Sequence, residues 1–213
     1  MESRMMEIKS KYNSKIKIGI IPGHFATNHS HVNYYVDLTA IKTRHTVAKE
    51  AGKELAKSYS SSLDVDTIIC LEGTEIIGAF LADELSNTGH GSINSGKEIN
   101  VITPETNSNN QMIFRDNIQK AIFNKRVLLL ISSVSTGKTI NRSVECLQYY
   151  NGQLAGVASI FSAINDYNGI AINSIFKSDD LTGYQTMAAG ECSLCKSGQK
   201  VDAIINSFGY SKI

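Results

Sequence analysis

The chain has 213 residues, of which 42% are hydrophobic, and its 21 basic and 20 acidic side chains leave a net charge of +1. A chain of this length buries a substantial core within one domain, and balanced charge without a basic block favours neither nucleic acid nor an acidic membrane as partner. No apolar stretch approaches a membrane span, and the N-terminus lacks a signal-peptide core, so we expect a cytosolic protein.

Apolar runs and helical periodicities alternate along the chain. The first strand is predicted over 16–21, ended by Pro22-Gly23, and a helix is predicted over 42–60. The other predicted elements are strands over 67–71, 99–102, 127–131, 154–161 and 171–176, and helices over 76–85, 115–123 and from 140 onward. This alternation predicts an α/β fold with a mainly parallel, doubly wound sheet, whose ligands bind at the carboxyl ends of the strands.

The segment 126–139, RVLLLISSVSTGKT, carries the strongest functional signal. Its apolar run is typical of a strand buried on both faces, and the helical spacing that follows predicts a helix. The residues between them are Ser135, Thr136, Gly137, Lys138 and Thr139. Free N–H groups and the positive end of the helix dipole converge at such a turn, and a glycine lets the main chain approach an anion. We therefore predict a phosphate-binding loop here.

Two other interpretations of this loop stay open. Its ending Gly137-Lys138-Thr139 fits the P-loop pattern GxxxxGK[ST], although Ser132 stands where the first glycine is required. The segment also fits an ordinary strand-to-helix turn that is rich in small residues.

The loop resembles the 5-phosphoribosyl-1-pyrophosphate (PRPP) motif of type I phosphoribosyltransferases. That motif has four apolar residues, two aspartates, an apolar residue and then [ST]-T-G-x-[ST]; residues 134–139 match it, and Ser132-Ser133 replace the aspartates. The segment 23–37 resembles the hood of orotate phosphoribosyltransferases. The tail Cys-Ser-Leu-Cys-Lys-Ser-Gly at 192–198 is similar to a tail of some bacterial and archaeal members. With the order of elements, the resemblance spans nearly the whole chain.

The resemblance implies a single phosphoribosyltransferase-type domain over 1–213, with a small hood built from about 1–40 and 177–213. Such proteins transfer the phosphoribosyl group of PRPP to a nitrogenous base and release pyrophosphate, and the orotate enzymes serve pyrimidine biosynthesis. The resemblance also implies Mg²⁺ as cofactor and a homodimer.

Site residues follow by position from the same resemblance. The 5′-phosphate would bind to Ser135, Thr136, Gly137, Lys138 and Thr139, and the ribose hydroxyls would face Ser132 and Ser133. The pyrophosphate loop would be Glu72, Gly73, Thr74 and Glu75, the base would lie near Phe25, Thr27 and Tyr35, and Arg115 is the candidate catalytic cation.

Several charged groups of the family pattern are replaced. The serine pair cannot give the charge-assisted hydrogen bonds of two carboxylates, the loop 103–111 holds no cation, and Ser162-Ala163 stands where an Asp-Arg pair is expected. Thr74-Glu75 also replaces two glycines. Two functions therefore remain: a divergent orotate phosphoribosyltransferase-like enzyme, which need not use orotate, and a catalytically silent sensor of a nucleotide or PRPP.

The four cysteines do not form a disulfide framework in a chain of this length. Cys192 and Cys195 are paired in sequence, but a zinc site needs two more ligands, and no second Cys-x-x-Cys or histidine pair at ligand spacing is present. We interpret this pair as a turn of the tail. The three histidines of the hood segment, His24, His29 and His31, are interpreted as solvated or bonded to the backbone.

Overall fold

The computed structural model describes residues 1–87, 91–107 and 111–213. The strands of these ranges are β1 Met6–Lys9, β2 Lys17–Ala26, β3 His31–Asp37, β4 Thr67–Cys70, β5 Asn100–Ile102, β6 Glu105–Thr106, β7 Met112–Ile113, β8 Arg126–Val134, β9 Gln153–Ser162, β10 Asp166–Tyr167, β11 Ile170–Lys177, β12 Thr186–Met187, β13 Ala203–Asn206 and β14 Gly209–Lys212. The α-helices are α1 Thr39–Thr43, α2 His45–Ala56, α3 Glu75–Ser86, α4 Asp116–Gln119, α5 Lys138–Tyr149 and α6 Ser193–Lys196. No helix in the described ranges is long and apolar enough to span a bilayer.

The central sheet has the strand order β10-β11-β9-β8-β4-β5. Strands β5, β4, β8, β9 and β11 run parallel to one another, and β10 pairs with the edge strand β11 in the antiparallel sense. Successive residues of the central strand β8 face opposite sides of this sheet: Leu128 and Leu130 pack with α2 and α3, and Leu129 and Ile131 pack with α5. The predicted α/β fold with a mainly parallel, doubly wound sheet is confirmed.

A second sheet stands beside the first and is built from both ends of the chain. Its order is β12-β3-β2-β13-β14, and β1 adds to β2. Strand β13 joins the N-terminal hairpin through parallel pairing of Ala203 with Phe25 and of Ile204 with Ala26. Its small core contains Ile21, Phe25, Val32, Tyr35 and Ala203. We call this second sheet, with the turns that join its strands, the hood.

Some predicted boundaries were wrong. Strand β2 continues through Pro22-Gly23 to Ala26, because a bulge between Pro22 and Phe25 takes up the irregular backbone without ending the pairing with β3. The predicted helix 42–60 is two helices, since Arg44 has an extended backbone between them. The predicted helix 115–123 shortens to α4, and the polar loop 103–111 contains β6, while its residues 108–110 lie outside the described residues.

Candidate functional site

The predicted strand, turn and helix of segment 126–149 are present. Strand β8 ends at Val134, and α5 begins at Lys138 with Gly137 as its N-cap, at φ 78° and ψ 1°. The first N–H groups of this 12-residue helix therefore face the turn. All five residues predicted to bind phosphate line one cavity of about 600 Å³. The cavity also touches Leu71 and Glu72 after β4, and Phe161 near the end of β9, so it lies at the carboxyl edge of the sheet.

Gly137 is required for two separate reasons. Its φ of 78° lies in the left-handed region, which other L residues enter at a cost. A Cβ built on it would also lie 2.2 Å from Cδ2 of Tyr167. The Tyr167 hydroxyl donates to Oδ1 of Asn141 at 3.2 Å, which fixes its ring against the first turn of α5. Any side chain at this position would displace the loop.

Cationic side chains gather at the helix end of the cavity. Lys138 and Arg142 of α5 line it, together with His29 from the turn between β2 and β3. Burial lowers the pKa of His29, and the positive charges of Lys138 and Arg142 lower it further. The wall around the turn is thus positive even where His29 is neutral, which favours an anionic ligand.

The carboxylate of Glu72 lies over the serine pair of β8. Its Oε2 accepts a 2.7 Å hydrogen bond from the Ser132 hydroxyl and a 3.4 Å bond from the Ser133 N–H. Burial raises the pKa of Glu72, and its φ of 61° is left-handed, as is that of Gly73. Glu72 and Ser133 line the cavity, whereas Ser132 is fully buried beneath the carboxylate and does not.

The other residues of the predicted pyrophosphate loop lie away from the cavity wall. Thr74 is fully buried, and its hydroxyl donates to the Leu71 carbonyl at 2.9 Å. Glu75 is exposed at the start of α3 and accepts a hydrogen bond from the Thr103 hydroxyl at 3.2 Å. Of the four predicted residues, only Glu72 lines the cavity, and Gly73 supports the turn behind it.

The sequence interpretation missed Lys42, on α1. Its Nζ donates to the Glu72 carbonyl at 3.1 Å and to the Ser207 carbonyl of the hood, and it lies 5.7 Å from the ring centroid of Phe208. Burial lowers the pKa of Lys42, while the nearby Glu72 carboxylate opposes this shift. Lys42 therefore ties the β4 turn to the hood, and no local motif marks it because both contacts are distant in sequence.

Aromatic side chains form the hood side of the cavity. Thr27 and Tyr35 line it as predicted, and burial together with the charge of Asp37 raises the pKa of Tyr35 to about 12. The sequence interpretation missed the other aromatic lining residues, which are Tyr34, Phe161, Tyr184 and Phe208. The rings of Phe161 and Tyr184 pack edge to face with centroids 5.3 Å apart.

Two further predicted residues do not reach the cavity. Phe25 is fully buried in the core of the hood, because β2 turns its ring toward Ile21 and Ala203. The exposed guanidinium of Arg115 forms a 2.6 Å ion pair with Glu105, so the candidate catalytic cation is held against β6, outside the cavity lining.

Cys192 and Cys195 lie in a turn that contains α6, and the structure brings two histidines next to this turn that the sequence spacing did not link to it. Ring nitrogens of His24 and His31 lie beside the two sulfur atoms, and the four atoms are all within 4.8 Å of one another. The two histidines also lie seven positions apart in the sequence, a spacing that β2, the bulge and the hairpin turn bring together. His29, between them, points to the cavity instead.

No family model and no curated protein matches the sequence, but solved structures match its fold. An orotate phosphoribosyltransferase of Mycobacterium tuberculosis, in complex with PRPP, is 18% identical with a TM-score of 0.50, over 69% of this chain and 82% of that one. An adenine phosphoribosyltransferase of Thermoanaerobacter pseudethanolicus is 16% identical with a TM-score of 0.50, over 83% and 96%. The UMP synthase of Leishmania donovani is 15% identical with a TM-score of 0.56, over 76% of this chain and 34% of that one.

The sheet order and the cavity at its carboxyl edge define a doubly wound α/β protein with a glycine turn at a helix N-terminus in the cavity wall. With these structural neighbours, the chain has the type I phosphoribosyltransferase fold, as the sequence motif predicted.

Proposed function

We propose that the chain binds a phosphorylated ribosyl compound in this cavity, with the phosphate on residues 135–139. The observation that carries the proposal is the left-handed Gly137 at the N-terminus of α5, which opens into the cavity between Lys138 and Arg142. Backbone N–H groups at a helix N-terminus bind phosphate without a dedicated side chain. The volume of about 600 Å³ suits a ligand of nucleotide size.

The ribose would lie between the phosphate turn and Glu72. The family motif places two carboxylates here, and the chain has Ser132-Ser133 instead. Glu72 brings a carboxylate from the neighbouring strand end to the same place. A carboxylate accepts charge-assisted hydrogen bonds from a diol, which two hydroxyls alone do not provide.

The reaction we propose is transfer of the phosphoribosyl group from PRPP to a nitrogenous base, as in a divergent orotate phosphoribosyltransferase. The bond from the anomeric carbon to pyrophosphate breaks and its electron pair leaves with pyrophosphate, while a ring nitrogen of the base bonds to that carbon and loses its proton. The base would pack against Tyr34, Tyr35, Phe161 and Tyr184. Ser162-Ala163 stands where the family has an Asp-Arg pair, and the Ser162 hydroxyl donates to the Ile164 carbonyl, which favours a base other than orotate.

Mg²⁺ would neutralise the charge of pyrophosphate. This ion binds through one or two carboxylates together with phosphate oxygens of a substrate, and Glu72 is the carboxylate among the described lining residues. The residues present therefore fit the ion. The positive charge of Lys42, next to the Glu72 carbonyl, lies where it would stabilise a departing anion.

A second candidate is a sensor that binds a nucleotide or PRPP without turnover. The observation in its favour is Arg115, the candidate cation, which pairs with Glu105 outside the cavity. Removing one charge donor from a transition state typically lowers a rate by about 10²–10³-fold, so a site that lacks the Arg115 guanidinium is suited to binding more than to catalysis.

Binding and turnover are measured separately. Titration with PRPP or a nucleoside monophosphate should raise the melting temperature of the protein in a saturable way, and incubation with PRPP, Mg²⁺ and a panel of bases should release pyrophosphate. Saturable binding without release for any base would favour the sensor. Absence of binding to every phosphoribosyl compound would refute both candidates.

Gly137→Ala tests the position of the phosphate. The Cβ of the alanine would meet the Tyr167 ring, so affinity should fall by at least about 10-fold, or 1.4 kcal/mol. Gly96→Ala is the matched control, because Gly96 has a similar φ of 72° but open space around its Cα. The backbone strain is common to both variants, so the contact with the Tyr167 ring is what distinguishes them. Wild-type affinity in Gly137→Ala would show that the phosphate binds elsewhere.

A further inference from the structure

We propose that His24, His31, Cys192 and Cys195 bind one zinc ion. Two of these residues belong to the hairpin of β2 and β3, and two flank the start of α6, more than 160 positions later in the chain. The site therefore joins the N-terminal and C-terminal parts of the hood. It is separate from the proposed phosphate turn and does not depend on the proposed function.

The distances suit a tetrahedral metal site. His24 Nε2 lies 2.9 Å from His31 Nδ1, 3.5 Å from Cys192 Sγ and 3.6 Å from Cys195 Sγ, and Cys195 Sγ lies 3.3 Å from His31 Nδ1. With Zn–N and Zn–S bonds of about 2.0–2.3 Å, the ligand atoms of a tetrahedron are about 3.3–3.8 Å apart. The four distances above differ from this range by at most a few tenths of an ångström, and all six pairs of ligand atoms lie within 4.8 Å.

Hydrogen bonds outside the cluster orient its ligands. His24 Nδ1 lies 2.8 Å from the Gln199 carbonyl oxygen, which can only accept a hydrogen bond, so Nδ1 carries the hydrogen and the Nε2 lone pair points into the cluster. This arrangement is typical of metal-binding histidines. The backbone N–H of His24 also donates to the Asp202 carboxylate at 2.9 Å, and both His24 and Cys192 are fully buried. These contacts thus fix the orientation of His24 Nε2 before any ion binds.

The cysteine turn is folded in a way that presents both sulfur atoms on one side. The Lys196 N–H donates to the Cys192 carbonyl at 3.1 Å, and the Gly198 N–H donates to the Cys195 carbonyl at 3.0 Å. The φ of 78° at Gly198 lets the chain turn away immediately afterwards.

Hydrogen bonding alone does not account for the cluster. The lone pair of His24 Nε2 faces three groups within 3.6 Å, namely His31 Nδ1, Cys192 Sγ and Cys195 Sγ, and it accepts one good hydrogen bond. A cation satisfies all four atoms at once. Two sulfur and two nitrogen ligands in tetrahedral arrangement select zinc, and four protein ligands leave no open position, as in structural sites.

The ion would hold the hood over the cavity. The turn between the two histidine ligands supplies Thr27, Asn28 and His29 to the cavity wall, and the chain after the cysteine turn supplies Ile205 to Phe208 through β13. Metal binding would fix both wall segments to each other. This consequence, unlike the site itself, depends on the proposed function.

The first experiment measures metal content in the full chain, purified under reducing conditions and without a metal-affinity step. Elemental analysis should find about one zinc ion per chain, and a chelator that removes it should lower the melting temperature. Cobalt added to the chelated protein should give the intense visible bands of tetrahedral Co²⁺ and a near-ultraviolet thiolate charge-transfer band. Wild-type protein that lacks zinc and takes up neither zinc nor cobalt would overturn the proposal.

Matched cysteine variants test the assignment of ligands. Cys195 is exposed, so Cys195→Ser should fold, and we expect its zinc affinity to fall by at least about 10-fold in a chelator competition. Cys146→Ser, on α5 and remote from the cluster, should keep one zinc ion per chain. His31→Ala should lose zinc as Cys195→Ser does. Full zinc affinity in both Cys195→Ser and His31→Ala would refute this site, even if the protein binds nucleotides as proposed.

Discussion

The carboxylate of Glu72 accepts a 2.7 Å hydrogen bond from the hydroxyl of Ser132, 60 positions later in the chain. Glu72 follows β4 and Ser132 lies near the end of β8, and these two strands are parallel neighbours. The structure thus brings one carboxylate, from the neighbouring strand end, next to the serine pair that stands where the motif has two aspartates. This contact also buries a charge, which has consequences for stability.

Replacing Glu72 by glutamine should stabilise the protein at alkaline pH. Burial raises the pKa of Glu72, so the folded state binds its proton more tightly than the unfolded chain does. Below the usual glutamate pKa of about 4.3 both states are protonated, and as pH rises through the folded pKa the stability contributed by this proton is lost. Glutamine keeps the acceptor oxygen and carries no charge.

We therefore expect Glu72→Gln to melt about 2–4 °C above the wild type at pH 8, which corresponds to about 1 kcal/mol in a chain of this size. The two proteins should converge near pH 4. Glu75→Gln, on the exposed start of α3, is the control and should show no such trend. A Glu72→Gln protein less stable than the wild type at pH 8 would contradict this account.

Replacing Lys42 by methionine should loosen the join between the β4 turn and the hood. The ammonium group donates to carbonyls of Glu72 and Ser207, and a half-buried charged hydrogen bond contributes about 1.5–3 kcal/mol. We expect the melting temperature to fall by about 3–8 °C and the affinity for PRPP to fall with it, since both joined segments line the cavity. Calorimetric titration measures the affinity.

Lys49→Met provides the comparison for Lys42→Met, because Lys49 is exposed on α2 and loses the same charge. Its melting temperature and affinity should match the wild type. If both variants weaken PRPP binding equally, the effect comes from net charge and not from the join.

Replacing Asp66 by asparagine should destabilise the N-terminal ends of the parallel strands β4 and β8. Oδ2 of Asp66 accepts hydrogen bonds from the backbone N–H of Arg126 at 2.9 Å and from its Nε at 3.0 Å, and Lys97 pairs with Oδ1 at 2.6 Å. The hydrogen bond from Arg126 is the largest of several effects that hold the pKa of Asp66 well below its usual range. The contacts join the start of β8 to the residue before β4.

The stability from this lowered pKa is present above the usual aspartate pKa of about 3.9 and is lost as pH falls toward the folded pKa. Asp66→Asn should thus lower the melting temperature by about 4–10 °C at pH 7, and the difference should shrink below pH 4. Asp64→Asn should cost less, because Asp64 is 39% exposed against 14% for Asp66. A pH-independent difference for Asp66→Asn would mean that the loss is not electrostatic.

Local sequence patterns predicted the strand, turn and helix of segment 126–149, because the residues that form each of these patterns lie within a few positions of one another. An apolar run such as 127–131, a glycine at 137 and helical spacing after it are set by neighbouring residues, and the structure has the strand, turn and helix in that order. The predicted strand boundary at Pro22-Gly23 failed for the opposite reason. Tertiary pairing with β3 and β13 keeps β2 extended past two residues that favour a turn by themselves.

Periodicity and turn chemistry act over one or two turns of chain, so the sequence alone predicted the fold class and the strand, turn and helix of segment 126–149. The contacts between distant residues, Glu72 with Ser132, Lys42 with Ser207 and His24 with Cys192, came from the tertiary structure. It also decided that Phe25 is buried in the hood and that Arg115 lies outside the cavity. These contacts depend on strand order and register, which are set by the packing of the whole chain.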